Sequence, residues 1–167
     1  IAFHATGVHA AEHAWLAPIV ARLLAARPGV EIEVIASGGA ARAWRSIPGV
    51  RVLAPMAWPD YRAHTASRGF DIMLAPLLDT PVNRMRSCTK RIDAARAGAA
   101  LIVNAPAIYA PNAEEIALGM TAPESADAYL AAIVALVDDT ERRARLAALN
   151  AAHARALAAA ARPLFPD

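Results

Sequence analysis

The pattern that decides the fold lies in residues 71–104, DIMLAPLLDTPVNRMRSCTKRIDAARAGAALIVN. Two short apolar runs, residues 71–75 and 100–104, have the length and composition of buried β-strands. Between them, Ser87 precedes an amphipathic run over residues 88–96 and is of the type that caps a helix. A strand, a helix and a second strand in this order predict a βαβ unit with two parallel strands.

The same alternation continues on both sides of this unit. Further strands are predicted at residues 1–5, 31–36, 50–54 and, weakly, 116–120. Further helices are predicted at residues 13–26, 40–46, 59–68, from Ser125 or Asp127 to 137, and, after a Thr140 cap, 141–161. The strands are nearly all apolar, which is typical of strands covered on both faces. We therefore predict an α/β domain with a single doubly wound, Rossmann-like parallel sheet, strand order 3-2-1-4-5-6, and helices on both faces.

Length and chain ends suggest how this domain is organised. A chain of 167 residues corresponds to about one domain, and it contains no internal repeat and no low-complexity linker. The sequence begins without Met, and its first residues already have the pattern of a strand. We therefore expect residues 1–167 to be a single domain cut from a longer, two-domain protein.

Composition excludes several classes of function. The net charge is only +2 and no basic stripe is present, so nucleic acid is not an expected partner. No apolar run approaches the roughly 18 residues of a membrane span. The lone Cys88 excludes an internal disulfide and agrees with a reducing, cytoplasmic location. Sixteen arginines beside one lysine, with abundant alanine, are typical of a GC-rich bacterial genome.

Polar residues gather in two loops that meet at the predicted switch point of the sheet. In a sheet of this order the winding reverses between the first and fourth strands, and ligands bind beyond the carboxyl ends of the strands there. The loops that follow these strands are residues 4–12 and 77–86. Together with the next helix start they contain Gly7, His9, Asn83, Ser87, Thr89 and Lys90. We therefore predict that a nucleotide-sized ligand binds at this point.

Helix geometry suggests a separate role for each residue. Ser87, Lys90 and Asp93 recur at three-residue spacing and share one helix face. The free N–H groups of the helix start suit a phosphate, and Lys90 adds charge for a diphosphate. Asp93 can accept hydrogen bonds from two vicinal ribose hydroxyls, although an ordinary surface ion pair with Lys90 explains the same spacing. Met56 and Trp58 follow the third strand and either flank a base or belong to the core.

Other nucleotide and metal sites are not favoured. Residues 4–13, HATGVHAAEH, contain one glycine and no GxGxxG, and the chain has no GxxxxGK[ST]. A redox dinucleotide or a P-loop nucleotide is therefore not expected. His4, His9 and His13 are close in sequence and leave a metal site as an alternative. Because Glu12 is the only acidic residue beside them, we expect no metal.

Residues 71–98 resemble the donor-binding segment of GT-B glycosyltransferases, in the large retaining family often called group 1 or family 4. The matching positions are Asp71-Ile72, Ala75-Pro76-Leu77, Asn83, Arg86-Ser87, Lys90, Asp93-Ala94 and Ala97-Gly98. Residues 100–112, ALIVNAPAIYAPN, are similar to the next strand and the Tyr-containing loop of the family. Residues 126–146, ADAYLAAIVALVDDTERRARL, are similar to its late helix and the turn that follows. The resemblance therefore covers nearly the whole chain in order.

The resemblance implies that the chain is the C-terminal, nucleotide-sugar-binding half of a hexosyltransferase-type enzyme. The enzyme would move a sugar from a nucleoside diphosphate to an unknown acceptor without a metal or other cofactor. The missing N-terminal domain would bind the acceptor, supply the catalytic residues and provide any membrane association, so the isolated domain would be inactive. The expected donor contacts are Gly7, His9, Met56, Asn83, Ser87, Thr89, Lys90 and Asp93.

Two further interpretations remain open beside the glycosyltransferase, which makes three in all. Met85 stands where many members of the family carry Glu, and residues 4–13 lack the basic pair that often holds the diphosphate. Both departures favour a non-catalytic nucleotide- or sugar-binding or scaffold module with a degenerate site. A flavodoxin-like signalling domain is a third alternative, but it would require an acidic cluster after the first strand, where only Glu12 is found.

Overall fold

The computed structural model describes residues 1–160, except the side chain of Pro106. The strands in this part are β1 (Ala2–His4), β2 (Ile32–Ile35), β3 (Val50–Leu53), β4 (Ile72–Ala75) and β5 (Ala100–Val103). The helices are α1 (Ala10–Ala26), α2 (Gly38–Arg45), α3 (Trp58–Arg68), α4 (Thr89–Ala97), α5 (Pro106–Tyr109), α6 (Ala113–Ala117), α7 (Ala126–Asp138) and α8 (Thr140–Ala160). The last predicted helix extends to residue 161, which lies outside the described residues.

The five strands form one parallel sheet in the order β3-β2-β1-β4-β5. This arrangement confirms the predicted α/β class and doubly wound, Rossmann-like topology. Each of these strands matches its predicted range to within one residue at either end. Every residue of β1, β2, β4 and β5 is buried, whereas the edge strand β3 is only partly covered.

Helices cover the sheet on both faces. On one face α1 packs against α2 and α7, and on the other α4 packs against α3 and α8. The apolar stripe of α1, which includes Leu16, Val20 and Leu23, is buried in the core. This stripe follows the helical period of the sequence, so hydrophobic burial explains why the segment forms a helix in this place.

The predicted strand at residues 116–120 is wrong. Its first residues belong to helix α6, which a reciprocal capping box holds in place: the Asn112 side chain accepts from the backbone N–H of Glu115, and the Glu115 carboxylate accepts from the Asn112 N–H. What remains of a sixth strand is an isolated parallel bridge between Thr121 and Val103. Local capping therefore outweighs the weak apolar signal of the segment.

The ends of α4 differ from the predicted ones by one residue. Cys88, not Ser87, occupies the N-cap position, and no side chain caps this helix end. The Ser87 hydroxyl lies 2.6 Å from the Thr89 hydroxyl instead. Gly98 ends the helix as predicted, with a φ of 71° that glycine adopts without the steric cost of a Cβ.

None of the described helices combines the length and apolar character needed to cross a bilayer.

Candidate functional site

A cavity of about 290 Å³ opens where β1 and β2 end and α4 begins. Its wall includes backbone and side chains from the loop after β1, the loop after β3 and the first turn of α4. This is the carboxyl edge of the sheet, beside the point where the winding reverses between β1 and β4. Ligands of doubly wound sheets bind at such an edge, so the cavity is the candidate site.

Five of the eight predicted donor contacts line this cavity, namely His9, Met56, Thr89, Lys90 and Asp93. The other three, Gly7, Asn83 and Ser87, are not among its lining residues. Gly7 begins the short 3-10 turn that carries His9, and Ser87 contacts Thr89 from outside the cavity. These two residues therefore lie beside the site and position residues that line it.

Asn83 is buried and holds the two loops together. Its amide donates to a Glu12 carboxylate oxygen at 2.5 Å and to the Leu78 carbonyl at 2.8 Å. The same Glu12 oxygen accepts the Leu78 N–H at 3.2 Å. Both Asn83 amide hydrogens serve these contacts, so the side chain fixes the loop after β4 to α1.

Asp93 lies at the wall of the cavity, but only 2% of its surface is exposed. Its carboxylate accepts from the Tyr61 hydroxyl at 3.1 Å, from Lys90 Nζ at 3.3 Å and from Arg96 at 3.1 Å. A carboxylate offers about four acceptor positions. The geometry therefore leaves Asp93 about one position for a ligand, where the sequence predicted two hydroxyl contacts.

Lys90 points its ammonium group toward the cavity wall. Its Nζ lies 3.3 Å from Asp93 and 5.5 Å from the centre of the Tyr61 ring. The side chain is about 30% exposed, so the charge is available to a ligand from the cavity. Together with the unpaired N–H groups at the start of α4, Lys90 provides a positive region that suits an anionic group.

His9 lies in the loop after β1 and also lines the cavity. Its Nδ1 is 3.5 Å from a Glu12 carboxylate oxygen. Burial lowers the pKa of His9 below its ordinary value, and the charges of Arg86 and Lys90 act in the same direction. The imidazole is therefore neutral at pH 7, with a ring nitrogen available for one hydrogen bond to a ligand.

Sequence reasoning identified Trp58 as a residue that could flank a base but missed Tyr61, which forms an aromatic wall of the cavity together with it. Tyr61 stacks on Trp58 with ring centres 5.7 Å apart and planes at 29°. Trp58 remains 53% exposed, and the Arg96 guanidinium lies 5.5 Å above its ring. The spacing of Trp58 and Tyr61 places them on one helix face. The sequence did not reveal that α3 would turn this face toward Asp93.

The burial of Tyr61 agrees with its contact to Asp93. Burial raises the pKa of the Tyr61 hydroxyl above its ordinary value, and the negative charge of Asp93 raises it further. The phenol therefore stays protonated and acts as a donor to the carboxylate.

The three histidines near the amino end of the chain do not form a common site. His13 is held between the Ala5 carbonyl at 3.3 Å and the Trp44 indole N–H at 2.8 Å. His4 instead contacts Glu33, as does His64, and these three residues form a separate buried cluster. His4, His9 and His13, the alternative metal site that the sequence left open, therefore have separate partners in the fold.

The pKa values in this second cluster are shifted. Burial lowers the pKa of His4 to about 4. Burial alone would raise the pKa of Glu33, but hydrogen bonds and charge from His64 and His4 outweigh it and hold that pKa below its usual range. Only the pairing of β1 with β2 and the packing of α3 bring these residues together, so no local sequence signal identified them.

A larger cavity, about 680 Å³, lies at the opposite, amino edge of the sheet. Its charged lining residues form long ion pairs, such as Arg143 with Asp71 at 3.8 Å and Arg68 with Glu31 at 3.9 Å. This cavity lies at the amino edge of the sheet, opposite the carboxyl edge where ligands of this topology bind. We therefore place the candidate site in the smaller cavity.

Neither the protein-family models nor the curated proteins that were compared with the chain show a match, so a function has to be inferred from the cavity itself.

Proposed function

We propose that the protein binds a nucleoside diphosphate sugar in the 290 Å³ cavity, as the donor-binding half of a glycosyltransferase that transfers the sugar to an unknown acceptor. The observation that supports this most is the convergence, around one cavity, of Lys90, the start of α4, Asp93 and an exposed aromatic ring. A cation, a hydroxyl acceptor and an apolar wall are what a diphosphate, a ribose and a base require.

The diphosphate would lie against the first turn of α4. There the free N–H groups and Lys90 supply positive charge, and the Thr89 hydroxyl is a further donor. His9 would contact the same group from the opposite loop. In a transfer reaction these donors would stabilise the charge that develops on the leaving diphosphate.

The nucleoside would occupy the apolar side of the cavity. Asp93 would accept one ribose hydroxyl with its remaining acceptor position. Met56 and Trp58 would flank the base, and both line the cavity. The volume is near the lower end of the range for small-molecule sites, so the sugar would extend beyond the rim toward the expected N-terminal domain.

A second candidate function is binding without transfer. Three intramolecular donors already hold Asp93. Met85 stands at the position where the family often has Glu. It is 87% exposed, and its uncharged side chain cannot make the contacts of a carboxylate. A scaffold or nucleotide-binding module with a degenerate site would have these properties. Release of free sugar or its transfer by the full-length protein would separate an enzyme from such a module.

Calorimetric titration with UDP, GDP and ADP, and with the matching nucleosides, tests the proposal. We expect one of the three diphosphates to bind, and Lys90→Ala to weaken it about tenfold, with little effect on the nucleoside. The loss should shrink as salt screens the charge. Arg45→Ala, which removes an exposed cation on α2, is the matched control and should bind like wild type.

Two results would contradict the proposal. One is the absence of binding for all three diphosphates at millimolar concentration. The other is an equal affinity of the wild type and the Lys90→Ala variant, which would make Lys90 and Asp93 an ordinary ion pair.

A further inference from the structure

Two histidines and a glutamate from three different elements meet beneath α3. His4 ends β1, Glu33 lies in β2, and His64 lies in the middle of α3. The parallel register pairs Ala2 with Glu33, so the side chains of Glu33 and His4 leave the sheet on the same face. The Nε2 atoms of His4 and His64 lie 3.1 Å and 2.6 Å from the same Glu33 oxygen, Oε1.

We propose that His4, Glu33 and His64 bind a divalent transition metal of the zinc class, which ties α3 to the sheet. Their three ligand atoms lie within 4.8 Å of one another. Two imidazole nitrogens and one carboxylate oxygen favour Zn²⁺, Co²⁺ or Ni²⁺ over Mg²⁺ and Ca²⁺, which prefer oxygen ligands only.

The spacing of the ligand atoms suits this class of ion. Zinc–nitrogen bonds of about 2.0–2.1 Å in a tetrahedral site place neighbouring ligand atoms roughly 3.3 Å apart. The His4 nitrogen is 3.1 Å from Glu33 Oε1, so it needs almost no movement. The His64 nitrogen, at 2.6 Å, has to withdraw by less than 1 Å. His64 is about 20% exposed at its side chain, so it has room to move and leaves a path for the ion.

In the metal-free cluster one oxygen of the Glu33 carboxylate has no hydrogen bond within residues 1–160 and is compensated there only by two more distant, partly exposed arginines. Both histidines donate to one oxygen, and among the described residues the other, Oε2, has no hydrogen-bond partner. Arg51 and Arg68 lie 3.5 Å and 3.7 Å from Oε2, and both are partly exposed to solvent. Glu33 itself is 3% exposed. Burying an ionised carboxylate is costly unless it is paired or coordinates a metal, and a bound dication would supply that compensation.

A metal here would act on structure, and its effect would reach the cavity. His64 lies one turn after Tyr61, whose hydroxyl holds Asp93 at the cavity wall. His4 contributes both to the cluster and to the cavity lining. Fixing α3 to β1 and β2 would therefore fix the aromatic wall of the site. The metal site does not depend on which ligand the cavity binds.

The test uses the full-chain protein after treatment with a chelator and removal of that chelator. We expect one Zn²⁺ to bind per chain, and Tm to rise by about 5–10 °C when free Zn²⁺ is a hundredfold above its Kd. Mg²⁺ at the same concentration should leave Tm unchanged. His64→Gln, which removes the most accessible ligand, should weaken Zn²⁺ binding at least tenfold. His153→Gln, which removes a histidine on α8, is the control and should bind Zn²⁺ like wild type.

Three results would overturn the proposal. They are the absence of stoichiometric Zn²⁺ binding, equal Zn²⁺ affinity of the wild type and His64→Gln, and equal losses of Zn²⁺ affinity in His64→Gln and His153→Gln. Arg51 and Arg68 would then be sufficient partners for Glu33. If His64→Gln does not fold, the visible absorption spectrum of Co²⁺ bound to the wild type tests the site instead. Intense bands of a four-coordinate ion would support the site, and the weak spectrum of a six-coordinate, hydrated ion would overturn it.

Discussion

The Asp93 carboxylate lies among Tyr61, Lys90 and Arg96, all of which donate hydrogen bonds to it. A buried acceptor of this kind contributes to the fold as well as to a site, because its donors lose their partner when it is changed. The same residue therefore has a structural role that its spacing in the sequence did not indicate.

We expect Asp93→Asn to lower the free energy of unfolding by about 1–3 kcal/mol. The amide directs hydrogens toward groups that are themselves donors, and it removes the charge that strengthens these hydrogen bonds. Urea unfolding followed by circular dichroism measures this loss. Asp60→Asn, an exposed position in the first turn of α3, is the control and should stay within about 0.5 kcal/mol of wild type.

The same variant also tests the proposed ribose contact. It should weaken a bound ribonucleoside diphosphate more than the 2′-deoxy analogue. Equal losses for the two nucleotides would remove Asp93 from the binding site and leave it a structural residue only.

At the scale of elements, α4 is tied to the segment that follows β5 by one buried arginine. Arg91 is fully buried, and its guanidinium donates to the Tyr109 carbonyl at 2.6 Å and to the Glu115 carboxylate. Glu115 in turn caps α6. This pair joins α4 to α6 and holds the capped helix in its place against α4.

We expect Arg91→Met to cost about 3–5 kcal/mol, since it leaves the Glu115 carboxylate buried without its cation. The midpoint of urea unfolding measures the loss. Arg145→Ala is the matched control, because Arg145 forms an exposed ion pair with Glu114 at 2.7 Å. That exposed pair should contribute less than about 1 kcal/mol. Equal losses of stability in the two variants would show that the buried pair of Arg91 and Glu115 contributes no more than the exposed pair.

At the scale of the whole molecule, several buried histidines give the fold a common response to acid. Burial lowers the pKa of His9 and His13, and it lowers that of His4 to about 4. The folded state therefore favours their neutral forms, whereas the unfolded chain takes up protons near the ordinary value of about 6.5. The stability that these groups contribute is complete above that pH and is lost as the pH falls from about 6.5 toward 4.

We expect the free energy of unfolding, measured with urea in the presence of a chelator, to change little between pH 8 and pH 7 and then to decrease steadily to pH 5. Repeating the series at high salt is the control, because screening removes the general repulsion between positive charges but not the cost of charging a buried imidazole. A stability that stays constant or rises on acidification would contradict this assignment.

The sequence by itself determined the fold class, the position of the five strands and, of the two predicted site loops, the one after β1 that borders the cavity. Strand length, helical periodicity and stop signals such as Gly98 are local properties, so they can be predicted without knowledge of distant contacts. The burial of Asp93 and the meeting of His4, Glu33 and His64 were decided only by the tertiary structure. The two histidines reach Glu33 across separations of 29 and 31 residues, which depend on strand register and on which face of α3 packs inward. A local sequence pattern specifies neither the strand register nor the inward face of α3, because both are fixed by the packing of the whole core.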